Sequence, residues 1–87
     1  MSAQGLEKKK ISGTFRNTNL ELALLELEIN HRLTFEFASE DISGIKVNVY
    51  LPKVPLEEGL RLLLFETGLS YYIQEDNTIL IQKGNVE

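Results

Sequence analysis

Eighty-seven residues, 43% hydrophobic and 25% charged, describe one ordinary globular domain rather than a disordered tail or two domains. A chain this short buries only about 60 to 65% of its unfolded surface, so most apolar residues serve the core and few can line a deep pocket. The net charge of −4 argues against a nucleic-acid partner, and the lack of cysteine removes disulfides, thiolate metal sites and cysteine nucleophiles together.

Met1 to Gly5 has no charged head or apolar stretch and so shows no export signal, although Ser2-Ala3 suits the end of a truncated one. Residues 1–9 are expected to be flexible, with Lys8-Lys9-Lys10 a solvated basic run in front of the first strand. Ile11, Gly13 and Phe15 alternate with Ser12, Thr14 and Arg16, which predicts that strand. A helix follows from about Asn19 to Asn30, with Thr18 and Glu21 spaced as a capping box. Its apolar residues fall in two stripes: Leu20, Ala23, Leu24 and Leu27 on one side, Leu22, Leu25 and Ile29 on the other. That pattern predicts a helix buried on two faces between two sheets.

Leu33, Phe35 and Phe37 predict a returning strand, and Ser39 to Ile42 a single helical turn before Ser43-Gly44 redirects the chain. Ile45, Val47, Val49 and Leu51 alternate with Lys46, Asn48 and Tyr50 as a third strand. Pro55 suits the first position of a second helix and Gly68 its left-handed stop, after which Leu69, Tyr71 and Ile73 return. Asp76-Asn77 suits a tight turn into a last strand from about Thr78 to Gln82. The predicted order is βαββαββ, an α+β fold, and no stretch approaches the roughly 18 to 20 apolar residues that insert a helix into a membrane.

The two halves repeat each other. Displaced by 36 residues, Leu20, Glu21, Leu24, Leu27 and Leu33 fall on Leu56, Glu57, Leu60, Leu63 and Leu69, all identical. Ile11 with Val47, Phe15 with Leu51, Ala23 with Gly59, Phe35 with Tyr71 and Phe37 with Ile73 are similar pairs. Helix periodicity alone would not align the flanking strands as well. The expected structural set is Leu20, Leu24, Leu27, Leu56, Leu60, Leu63, Phe35 and Tyr71, with Gly68 as a cap. Ala23 and Gly59 are read as small residues that let the two helices approach.

Chemistry-bearing constellations are sparse. His31 has no partner at a spacing that makes a triad or a metal site, and the glycines fit no phosphate-loop pattern. Glu40-Asp41 and Glu75-Asp76 lie in turns, where carboxylates are commonly solvated. No catalytic residue, cofactor or metal is expected. Tyr50 and Tyr72 point away from their strands' apolar faces and, with Glu36, Asn48, Glu40 and Asp41, are the candidates for docking a partner.

Phe15-Arg16-Asn17-Thr18-Asn19-Leu20-Glu21-Leu22-Ala23-Leu24, Val54-Pro55-Leu56-Glu57-Glu58-Gly59-Leu60 and Thr67-Gly68-Leu69-Ser70-Tyr71 resemble the secretin and TonB N-terminal short domain. Thr78-Ile79-Leu80-Ile81 matches that family's final strand, so the resemblance runs from about Lys10 to Gln82. Gly59 replaces the usual alanine, and His31-Arg32 stands where many members have a glycine-containing stop. The resemblance implies two helices sandwiched between two small sheets, in the periplasm of a Gram-negative bacterium. It also implies a job: within a TonB-dependent receptor, relaying substrate occupancy to a FecR-like anti-sigma regulator and so to an extracytoplasmic-function sigma factor. TonB, or the receptor's own plug and barrel reached through a linker at residues 83–87, are further implied partners. A docking domain of a secretin channel and a small-ligand-binding domain are the alternatives.

Overall fold

The computed structural model describes residues 9–84. Its elements are β1 (Lys10–Asn19), α1 (Leu20–His31), β2 (Phe35–Glu36), α2 (Ser39–Ile42), β3 (Lys46–Pro55), α3 (Leu56–Leu64), β4 (Leu69–Ile73) and β5 (Ile79–Lys83). The flexible segment expected at 1–9 lies outside the described residues except for Lys9, and of the linker expected at 83–87 only residues 85–87 lie outside, Lys83 being the last residue of β5.

β1 and β3 pair antiparallel as a two-stranded ribbon. The second sheet has the order β2-β5-β4, with β2 parallel and β4 antiparallel to the central β5. The helices lie between the sheets and share one core with both. This is an α+β fold of two βαβ units plus a closing strand.

The duplication is visible in the backbone. β1 and β3 each run for 10 residues and show the same alternation of buried and exposed positions. Left-handed residues recur at equivalent places: Asn17 (φ 49°) and Lys53 (φ 68°) in the strands, Arg32 (φ 57°) and Gly68 (φ 82°) after the helices. The ribbon register maps onto itself about the Thr14–Tyr50 pair, with Lys10 opposite Pro55 and Asn19 opposite Lys46 at its two ends. Matching hydrogen bonds close those ends, Leu20 N donating to Ile45 O at 2.8 Å and Leu56 N to Lys9 O at 2.9 Å. An approximate two-fold axis therefore passes through the ribbon centre, and α1 and α3, leaving from opposite ends, run in opposite directions.

The alternating strand pattern and the helix stripes converge on one interior. Ile11, Phe15, Val47 and Leu51 enter it from the ribbon, and Phe35, Ile79 and Ile81 from the second sheet. Leu20, Ala23, Leu24 and Leu27 of α1 and Leu56, Leu60, Leu63 and Leu64 of α3 fill the space between. Ile42 of α2 is buried in the same core.

Several local expectations are corrected. No capping box forms. The Thr18 hydroxyl donates to Arg16 O at 3.1 Å and Asn19 makes no side-chain cap, because the strand runs straight into α1 and the ribbon's Ile45 carbonyl takes the first helical N–H. Only Phe35 and Glu36 of the predicted returning strand enter the ladder. Pro55 ends β3 rather than opening the helix. Gly68, grouped with the structural set, is exposed and lies beyond the end of α3 at Leu64, where its positive φ turns the chain into β4. Lys9 is not merely solvated: its Nζ donates to His31 O at 2.9 Å, satisfying a carbonyl at the end of α1.

Two corrections concern packing. α1 is buried on one stripe only; Leu22, Leu25 and Ile29 are 54%, 48% and 70% exposed. Gly59 does not serve an approach between the helices. A Cβ there would meet Ile11 Cδ1 at 2.5 Å and Cγ1 at 2.7 Å, so the close approach is between α3 and the ribbon.

Candidate binding surfaces

The six docking candidates divide over three separate places. Tyr50 stands at the centre of the ribbon, 65% exposed on its outer face and paired across the strands with Thr14. Asn48 projects from the same face, in a shallow groove with Thr14, Arg16 and Tyr50. Its Oδ1 is already occupied, accepting the Asn17 N–H at 2.8 Å. Asn17 sits in the left-handed region where the ribbon register shifts, so Asn48 satisfies a backbone donor that the bulge leaves without a ladder partner.

Tyr72, 59% exposed, lies on the outer face of the other sheet. It pairs with Leu80, which in turn pairs with Glu36, so the three form one row across β4, β5 and β2. Because the sheets enclose the helices, this row and Tyr50 face away from each other and cannot contact one small partner surface together. Glu40 and Asp41 belong to α2, at the third location; the Asp41 N–H closes that turn onto Ala38 O at 2.9 Å.

His31 packs against the first strand, its Nε2 3.3 Å from both the backbone N and O of Ser12. Tyr71, half-buried on the inner side of β4, donates its hydroxyl to Glu57 Oε1 at 2.9 Å. Burial, and then the Glu57 carboxylate, push the phenol above its ordinary value near 10.0, against the opposing effect of Arg61. The folded state therefore favours the neutral phenol, a contribution fully present below pH about 10 and lost as pH rises through the raised value. Tyr71→Phe is expected to melt with a shallower decline than the wild type between pH about 9 and 11, as followed by circular dichroism.

Sequence reasoning missed the apolar exposure on the helices: Leu22, Leu25 and Ile29 on α1, and Leu62 and Phe65 at the end of α3. The second stripe of α1 carries that signal, although its periodicity alone predicts burial. Among the described residues no group of three or more potential metal ligands assembles, and no helix is long and apolar enough to cross a membrane.

The duplicated α+β scaffold has a filled apolar interior and carries Tyr50, Tyr72 and the exposed helix leucines on its outer faces. Residues 37–83 match the secretin and TonB N terminus short domain, and the chain belongs to that family. Domains of this family are small interaction and signalling units of secretins and TonB-dependent receptors, typically periplasmic in outer-membrane proteins. The match spans the second βαβ unit and β5; residues 10–36 lie outside it and join the same architecture through the duplication. No curated protein matches the chain.

Proposed function

We propose that this chain is the periplasmic signalling module of a TonB-dependent outer-membrane receptor. It relays substrate occupancy to the periplasmic part of an inner-membrane anti-sigma regulator, which then releases an extracytoplasmic-function sigma factor. The supporting observation is the use of the interior. Leucines at matched places in both units fill it, so recognition falls to the outer faces. Relay by docking suits such a scaffold, since a rigid core holds a surface in register without moving parts.

Removing residues 1–84 from the intact receptor tests the reading. Substrate uptake should persist while induction of a sigma-dependent reporter is lost. Loss of channel assembly or secretion instead would identify the parent as a secretin, and normal induction would reject the relay. A large thermal shift of the isolated chain with a single metabolite would favour the small-ligand alternative.

A further inference from the structure

α1 carries more apolar surface than the fold uses. Leu22, Leu25 and Ile29 recur at three- and four-residue spacing, the spacing at which helical side chains align into one seam. They border a shallow groove with Thr18, Glu26 and Asn30. The second unit shows that the scaffold does not require the first two to be apolar. There the places of Leu22 and Leu25 are taken by Glu58 and Arg61, both exposed on the corresponding face of α3. The first two places of the row are thus charged in one copy and apolar in the other, whereas the place of Ile29 is taken by Phe65, also apolar and 72% exposed. Exposed aliphatic rows of this kind mark contact surfaces.

We propose that this seam receives an amphipathic helix of a partner protein, apolar at three- and four-residue spacing and flanked by lysine or arginine. Charge selects that occupant. With Leu22 and Ile29 at a positions and Leu25 at d, the flanking e and g positions are Glu21, Glu26 and Glu28, and α1 contains no Lys or Arg. Glu28 also accepts the Phe35 N–H at 2.8 Å, which holds one flank of the seam to the fold. A second copy of this chain would set glutamate against glutamate in either orientation, which disfavours self-pairing. A basic-flanked helix instead meets complementary charge on both sides of the apolar contact.

The inference deepens the relay reading, by naming the docking face and the partner's chemistry, and the test keeps the two separable. In the first arm the isotope-labelled chain is titrated with a synthetic helix bearing Leu at a and d and Lys at e and g, and with a scrambled peptide of the same composition. Amide shifts should centre on Leu22, Leu25, Glu26 and Ile29. Binding should weaken about tenfold or more for the scrambled peptide and for Leu22→Gln/Leu25→Gln, and should also weaken for Glu26→Lys. Equal binding of the scrambled peptide, or shifts centred on Tyr50 or Tyr72, overturns the proposal. The second arm replaces the peptide with the periplasmic part of the anti-sigma regulator. A loss of about tenfold or more in the double glutamine variant, with melting unchanged, supports the seam. Undiminished binding by that variant overturns the seam and leaves the relay standing, whereas no binding by the wild type overturns the relay while the peptide arm still decides the seam.

Discussion

Leu60→Ala is expected to destabilise the domain by about 2 to 5 kcal/mol, and Leu24→Ala by a similar amount. The two leucines are repeat equivalents, 0% and 1% exposed, each on the buried stripe of its helix. Truncation removes the transfer energy of the lost carbons and leaves a cavity that flanking elements cannot close without breaking their own contacts. For a domain of this size each kcal/mol lowers the melting temperature by about 4 to 8 °C, so either variant should melt roughly 10 to 30 °C lower. Against a total stability of about 5 to 15 kcal/mol this is a large fraction. Chemical denaturation of both variants measures it, and a loss below about 1 kcal/mol at both sites would show that the two units do not share a filled core.

Gly59→Ala should also destabilise, although alanine is the better helix former by about 1 kcal/mol. The added methyl would lie 2.5 Å from Ile11 Cδ1 and 2.7 Å from Cγ1, and Ile11 is itself fully buried, with little room to move. Overpacking of this kind typically costs about 1 to 3 kcal/mol, so after the propensity gain the net loss should be up to about 2 kcal/mol. The duplication supplies the remedy. The positions equivalent to Gly59 and Ile11 are Ala23 and Val47, and glycine with isoleucine holds the same number of side-chain carbons as alanine with valine. Gly59→Ala combined with Ile11→Val should therefore recover most of the loss, which a double-mutant cycle by denaturant unfolding would detect as a favourable coupling. It also accounts for glycine in the second unit where the first has alanine: isoleucine across the contact already fills the space.

Much of the fold was legible because it was written twice. Chance alignment of leucine-rich helices would not also bring Phe15 onto Leu51 or Phe35 onto Tyr71, and the structure repeats the strand lengths, the left-handed residues and the ribbon-end hydrogen bonds at the same displacement. The short helix at Ser39–Ile42 and the turn at Asp76-Asn77 were legible from local chemistry, the latter with Asn77 at φ 70° and Asp76 Oδ1 accepting the Thr78 N–H at 3.0 Å.

What was not legible depends on neighbours distant in sequence. Periodicity shows that Leu22 and Leu25 are apolar, but only the packed fold shows that the described residues leave about half of each exposed. Alternation places Tyr50 and Tyr72 outward, but sheet assignment decides that their two outward directions oppose each other. Asn48 reads as a free amide until the bulge at Asn17, 31 residues away, claims its oxygen. Gly59 reads as a helix-helix contact because its partner on the ribbon cannot be seen from the helix alone.

The central claim is that a filled, duplicated core presents outer surfaces for a protein partner. Calorimetric titration of the chain with the periplasmic segment of the anti-sigma regulator tests it most directly. The account predicts a saturable one-to-one complex; absence of any binding heat at concentrations that would reveal a dissociation constant of about 0.1 mM would contradict it.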